Sequence, residues 1–370
     1  MSFTGIFHSI AVYNIRSFQV SDINNEYNDN IYIMARIITC IISIILCLIF
    51  LIIIKYTYIQ RIIIITYMIF RSNEAFIDVL HGIDQKHWRM DYISISLIIR
   101  GISMLSVFII LGLFFELYFA IIGMVIITFL IGFLFDIQKT KKLTNIFLKF
   151  DKRIFILLKQ CFPLMLVILI GVLILSYSRY SIERLLGTEA LGIYASVSAP
   201  ALIIQVAASF IFLPLINVFA SYLKEINFKK YINIFIIISI ALLLISIFIY
   251  IIFVLFGDFC LSILFGDSIK PYSYLLSGAV IVAGLTAFMW FMNMIFSTIR
   301  DIKGILIGNI LGLIICLIFT NIFLNNYGLI GANYIMILSQ GIAVLFLFIR
   351  FFWFVKFKLS TLFLKHNNIS

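Results

Sequence analysis

Charge is scarce in this sequence: Asp, Glu, Lys and Arg together make 12% of 370 residues while 64% are hydrophobic, and acidic residues number only 16. Long polar stretches are missing too, the widest gaps between apolar runs being residues 136–155 and 178–192. With a mean hydropathy of +1.19, that excludes soluble domains and leaves no loop large enough for a folded extramembrane module. Phosphate-loop, HExxH and GxSxG motifs are absent, so ATP hydrolysis and the enzyme chemistries those motifs carry are not expected. Cys40, Cys47, Cys161, Cys260 and Cys316 fall in or beside apolar runs and the four histidines are scattered, so neither set has metal-ligand spacing. The cysteines read as small apolar fillers, and no metal or cofactor is called for. The start, MSFTGIFHSIAVYNIRSFQV, lacks the basic segment and cleavage site of a signal peptide, and its apolar part up to Val12 reads as the tail of a helix.

What is present is a series of apolar runs, each of the ~20 residues a helix needs to cross hydrocarbon. Ten are expected, near 36–54, 59–82, 92–114, 115–135, 156–178, 193–220, 231–256, 272–297, 302–325 and 328–350. The fold class is therefore an all-α polytopic membrane protein with ten transmembrane helices in two bundles, four plus six. The expected domains are a helical lobe at 1–138, a basic linker at 139–155 and a second lobe at 156–370. Pro163, Pro200 and Pro214 interrupt spans in the second half and predict kinks. Gly304, Gly308 and Gly312 form a face suited to close helix packing. The second and third spans, joined by GIDQKHWRMDY, share an outline with the eighth and ninth, joined by STIRDIK, a weak echo of an internal repeat.

The formal net charge of +11 is distributed by loop. From the fourth span onward, alternate loops and the carboxyl terminus hold 16 Lys and Arg, seven of them at 139–159, and the intervening loops hold 3. The rich side is cytoplasmic by the positive-inside rule, so the linker and the carboxyl terminus face the cytoplasm and nucleic acid is not a partner. The linker alternates charge with apolar residues at helical spacing and is expected to lie as a helix in the cytoplasmic interface. Around the first two spans the count is 3 against 2 if the second span crosses and 4 against 1 if it does not, so charge does not orient them.

The second span is the unusual one. Arg71, Glu74, Asp78 and His81 occupy an arc of about 80° on a helix and form one polar stripe. Each charge costs about 2.5–3.5 kcal/mol at a helix centre on insertion scales, so such groups face partners or water. Spacing allows Arg71 to neutralise Glu74, leaving Asp78 for another partner, with Arg100 of the next span within reach. Arg36 adds a positive charge at a similar level. Three readings stay open: a substrate-facing stripe, structural ion pairs, or an amphipathic helix on the membrane surface. Arginine suits phosphate because its planar donors grip oxygen pairs and it keeps its charge.

YNIRSFQVSDINNEY, the span containing Arg36, and EAFIDVLHGIDQKHWRMDYISISLIIRG together resemble the amino-terminal lobe of lipid-linked oligosaccharide flippases. These are the O-antigen and capsule repeat-unit translocases of the multidrug/oligosaccharidyl-lipid/polysaccharide exporter superfamily. ERLLGTEALGIYASVSAPALIIQVAASFIFLPLINVFA and YGLIGANYIMILSQ resemble regions of the second lobe. The resemblance implies that the second span crosses, that both termini are cytoplasmic, and that Met1 falls within the family's second helix, the first one to two helices being absent. It implies a non-enzymatic translocase of the bacterial inner membrane, serving O-antigen, lipopolysaccharide or capsule synthesis. Its partners would be undecaprenyl-diphosphate-linked oligosaccharide, membrane lipid, and the polymerase and chain-length regulator of the same pathway. Arg36, Arg71 and Arg100 become substrate-binding candidates and Glu74 and Asp78 candidates for ion pairing or for taking a coupling proton or sodium ion, while Gly82, Gln85 and Arg89 would shape a cytoplasmic turn. The rivals are a membrane polysaccharide polymerase, for which the outward loops are short, and a multidrug exporter of the same superfamily.

Overall fold

Hydrocarbon offers backbone groups no water, so apolar runs of this length close their hydrogen bonds internally as helices. In the computed structural model, residues 2–22, 25–53, 57–225, 227–299 and 301–356 are described, and no strand occurs among them. Lys55, Arg300, Lys358 and Lys365 of the charge count, Met1, and the carboxyl-terminal segment lie outside the described residues. By packing, the chain divides into two units, Met1–Val172 and Leu173–Ser370. The first contains α1 (Ser2–Val12), α2 (Ile15–Ser21), α3 (Asp29–Ile53), α4 (Tyr58–Lys86), α5 (Met90–Phe114), α6 (Leu117–Ile131) and α7 (Ile137–Thr140), plus the start of α8 (Arg153–Leu186). The second contains the rest of α8 with α9 (Thr188–Ser198), α10 (Leu202–Lys224), α11 (Phe228–Phe265), α12 (Tyr274–Thr298), α13 (Ile302–Tyr327) and α14 (Leu329–Phe354).

Eight of the ten expected spans are single helices long and apolar enough to cross a membrane, with α6, a π-helical turn at Gly132–Asp136 and α7 forming one of them. Large aliphatic and aromatic side chains such as Ile52, Leu113, Phe114, Phe248 and Leu255 point outward, the reverse of a soluble surface. The chain is a multi-pass membrane protein. The sixth span is a bent pair, α9 and α10, turned by 50° at a break that holds Pro200. Pro163, in contrast, sits inside an uninterrupted α8. The second span is α4, whose charges separate it from the apolar eight although its 29 residues extend about 43 Å. It does not lie on the surface. It packs against α1, α2, α3, α5, α6 and α7 and so forms the centre of the first unit.

That centre is apolar on one side, where Ile15, Tyr32, Ala35, Val79, Leu80 and Ile83 meet Ile154, Leu157 and Cys161 at the start of α8. This contact explains why α8 begins within the first unit even though the basic linker precedes it. The loop before α3 is fixed by Asp22, whose carboxylate accepts from the backbone N–H groups of Glu26 (2.9 Å) and Tyr27 (3.1 Å) and from the Tyr32 hydroxyl (2.9 Å). Burial opposes ionisation of Asp22, but these donors and Lys86 outweigh it and hold the carboxyl below its ordinary range.

The linker corrects an expectation. Residues 145–151 are not helical, and regular helix resumes only at Arg153. The Asn30 side chain accepts from the Phe147 N–H (2.8 Å) and donates to the Asn145 carbonyl (3.1 Å), two groups that a helix would have paired within itself. Three hairpins share one closure. In α4–α5, α10–α11 and α12–α13 the N–H of the residue preceding the second helix bonds a carbonyl five positions back: Arg89 to Asp84, Asn227 to Tyr222, and Asp301 to Phe296, at 2.8–3.0 Å. Those residues also share a backbone conformation, with φ between −91° and −95° and ψ between 58° and 68°. The likeness expected between the second–third and eighth–ninth spans thus extends to the backbone of their turns.

The second unit is tied by uncharged pairs around α12. Asn333 of α14, fully buried, accepts from the Tyr194 hydroxyl (3.0 Å) and donates to the Leu275 carbonyl (2.8 Å), while Thr286 donates to Gln340 (2.9 Å). The glycine face of α13 lies against α14, Gly308 on Leu347 and Gly312 on Ser339 and Ala343. Replacing Asn333 by Ala removes the acceptor of the Tyr194 hydroxyl at about 1–3 kcal/mol, while the Leu275 carbonyl keeps its place in the hydrogen bonding of α12. Thermal unfolding of the detergent-solubilised protein should show a clear loss of stability for Asn333→Ala and little change for Ser262→Ala, whose half-buried hydroxyl bonds only the Phe259 carbonyl of its own helix.

Candidate functional site

α1 stops at Val12 because Tyr13 and Asn14 take left-handed backbone angles, φ 48° and 52°. Its last carbonyls therefore lack intrahelical partners, and α3 supplies them. Arg36 Nη1 donates to the carbonyls of Ala11 (2.8 Å) and Val12, and the Thr39 hydroxyl also donates to Ala11 (2.8 Å). Arg36 Nη2 then reaches Asp78 Oδ2 of α4 at 2.9 Å. Arg16 of α2 takes the other oxygen, Nη1 to Oδ1 at 3.1 Å, and donates to Gln85 Oε1 through Nε and Nη2 (3.3 and 2.9 Å). One carboxylate thereby holds two arginines from two helices.

These contacts place the expected residues differently from one another. Arg71 and Glu74 pair at 2.8 Å, as their spacing allows. Asp78 takes Arg16 and Arg36 rather than Arg100. Arg36 has 0% exposure and does not line the cavity described below, so as a substrate-binding candidate it is corrected to a buried cation spent on backbone carbonyls and Asp78. Gly82 and Gln85 belong to the last turns of α4, not to the connecting turn, which is His87–Arg89. Gly82 is where the Gln19 and Arg16 side chains press against α4, leaving no room for a Cβ. Arg89 does sit in the turn, gripping both Asp91 oxygens (2.8 and 2.6 Å) over the Tyr92 ring.

The remaining polar atoms converge on a cavity of about 410 Å³ within the first unit. His8, Arg16, Arg71, Glu74, Asp78, His81 and Arg100 line it, and Val12, Leu97 and Met104 are among the apolar residues that complete it. Arg100 differs from the other three arginines. It is 8% exposed and no described residue makes a hydrogen bond or ion pair with it, whereas the other three each pair with a carboxylate; its buried Nε, like those of Arg36 and Arg71, has no partner. Beside it Gly101 leaves open space. His81, 3% exposed, bonds Asp136 at 3.2 Å, a carboxylate at the end of the π-helical turn. Reasoning from α4 alone missed Arg16 and Asp136, which lie 62 and 55 residues from their partners. A π-helical turn has no simple sequence signature, and Arg16 read as a cytoplasmic loop charge. Chemically the site is a desolvated pocket with an uncommitted guanidinium beside a second one shared with a carboxylate, an arrangement that recognises oxyanions.

The ion pairs differ in what they support. Asp78→Asn leaves the waterless Arg36 without a counter-charge and should cost about 3 kcal/mol. Glu74→Gln breaks only a half-exposed pair within one helix and should cost about 0.5 kcal/mol or less. Thermal unfolding in detergent should separate the two variants in that order.

Solved structures with this fold are membrane transporters. A MATE in the bent conformation matches with a TM-score of 0.68 at 15% identity, covering 99% of this chain and 85% of the other. An inward-facing multidrug resistance MATE family transporter of the MOP superfamily matches at 0.65 and 17% identity, covering 97% and 88%. A MOP superfamily transporter from Pyrococcus furiosus, described as having a binding pocket of reverse polarity, matches at 0.61 and 16%, covering 98% and 85%. No curated protein matches the sequence. Residues 1–223 match the family described as polysaccharide biosynthesis protein. With more than half of its length in that match and the helical architecture of MOP-superfamily transporters, the chain belongs to the polysaccharide biosynthesis protein family.

Proposed function

We propose that this protein is a flippase that moves undecaprenyl-diphosphate-linked oligosaccharide repeat units across the inner membrane of a bacterium, for O-antigen, capsule or a related surface polysaccharide. The observation that carries the reading is Arg100, buried and unpaired on the wall of a pocket it shares with Arg71. A polyprenyl diphosphate brings the complementary charge, and its tail stays in lipid while the polar head crosses. Family membership supports a role in polysaccharide assembly, and the transporter fold supports movement of a solute rather than bond making. The distribution of Lys and Arg supports a cytoplasmic linker and carboxyl terminus, on the side where repeat units are built. In this reading the polymerase and chain-length regulator act on what the flippase delivers.

A multidrug exporter is the second reading, favoured by neighbours described as multidrug resistance transporters. A cationic lining suits cationic drugs poorly, because like charge meets like in a desolvated site. The two readings separate in cells that depend on this gene for surface polysaccharide. Arg71→Ala and Arg100→Ala should each abolish the polymer at unchanged protein level, whereas raised drug susceptibility with normal polymer would favour the exporter.

A further inference from the structure

The pocket also contains a place for a proton, and it is not among the carboxylates of the α4 stripe. Glu74 is held by Arg71, and Asp78 by Arg16 and Arg36. Both are committed to permanent cations, so neither is set up to gain and lose a proton. Asp136 is different. It is 1% exposed, its Oδ1 faces His81 Nε2 at 3.2 Å, and its Oδ2 has no partner. A buried carboxylate with a vacant oxygen is costly, and a proton on the pair removes the cost. His81 carries that change to the pocket, because its ring forms part of the wall.

The groups facing this pair come from each helix packed on α4. Arg100 of α5 and Arg16 of α2 are its charged neighbours across the pocket. α3 contributes Arg36, engaged with Asp78, and α1 contributes His8, whose charged neighbours are Arg71, Arg36 and Asp78. α6 has no charged residue, Tyr118 being its one titratable group, and Lys139 of α7 lies over the Tyr92 and Phe135 rings. Asp84, also on α4, accepts from the Thr140 hydroxyl at 3.0 Å. Only His81 and Asp136 are titratable, in contact with each other and free of an arginine.

We infer that His81 and Asp136 form a proton-binding site linked to anion binding in the pocket, so that the protein takes up a proton as a lipid diphosphate enters and returns it as the diphosphate leaves. The inference rests on the diphosphate reading above and extends it to coupling. With His81 neutral and the carboxyls ionised, four arginines (16, 36, 71 and 100) face four carboxylates (74, 78, 84 and 136). One proton shared between Nε2 and Oδ1 neutralises the pair and adds one positive charge where the anion sits. Linkage makes the effect reciprocal: an anion that binds the protonated site more tightly raises the proton affinity by the same factor.

Calorimetry of the purified full-length protein with farnesyl diphosphate tests this in two buffers of different ionisation enthalpy. At about pH 8 the probe's phosphates are fully ionised, so any proton taken from the buffer goes to the protein. Wild-type protein should take up a measurable fraction of, and at most about one, proton per ligand bound. Asp136→Asn and His81→Gln should lose that uptake, while Asp136→Glu should keep it. Binding by wild type with no proton uptake would overturn the inference and leave the flippase reading standing, and so would uptake that persists in both disabling variants. Failure of the diphosphate to bind at all would instead remove the flippase reading, and the coupling with it.

Discussion

A guanidinium with no contact to water decides how the first unit is assembled. Arg36 is fully buried in a protein whose surroundings are hydrocarbon, where an uncompensated charge costs more than any single packing contact returns. Its two terminal nitrogens are met by two carbonyls at the broken end of α1 and by Asp78 of α4, while Nε has no partner, so three helices must take fixed positions at once. The shortness of α1 is part of the same solution, since a helix that continued past Val12 would have used those carbonyls itself. Asp78 in turn recruits Arg16, which reaches on to Gln85 and fastens the carboxyl-terminal end of α4 to α2. Only after these pairs are formed does one arginine remain uncommitted, and the character of the pocket follows from that remainder.

The two units use different currencies of polarity. In the first, buried ions are matched by ions. In the second, the buried polar groups are amides and hydroxyls: Asn333 with Tyr194, Thr286 with Gln340, Asn309 with Asn293. Such pairs hold helices together at moderate energy without presenting net charge. Arg350 and Asp301, at the ends of α14 and α13, form the second unit's half-buried ion pair at 2.7 Å. Buried charge is therefore concentrated in the first unit, while the close glycine packing of α13 on α14 and uncharged pairs hold the second together.

Periodicity made the helices legible, because spans of this length and hydropathy have no other way to satisfy their backbone in lipid. The polar stripe of α4 was legible for the same reason: residues at three and four positions share a face, and the Arg71–Glu74 pair is the contact that spacing specifies. What spacing does not encode is which distant residue meets a stripe. The sequence offered Asp78 Arg100 as a partner, and the pairing with Arg16 depends on where α2 packs, which local pattern leaves undetermined. The linker misled for a related reason. Its charges recur at helical intervals, but one asparagine on α3 satisfies the backbone groups that a helix would need. Arg36 appeared equivalent to Arg71 and Arg100 in the sequence, and only burial distinguishes a cation consumed by structure from one available to a ligand.

The balance of charge also bears on transport itself. On the flippase reading, a pocket of three unopposed arginines would hold a diphosphate too tightly to release it, and a neutral pocket would not draw it out of the interfacial water. Glu74 and Asp78 bring the excess down to a level at which one further charge is decisive, since in a desolvated site a single unit of charge is worth several kcal/mol at the dielectric of a partly buried pair. A site tuned this way needs a small, reversible change to alternate between holding and releasing. His81 and Asp136 sit where such a change reaches the ligand without disturbing the arginine pairs on which the helices depend. Separation of the charges that build the unit from the group that modulates it allows the same four-helix neighbourhood to be both rigid and responsive.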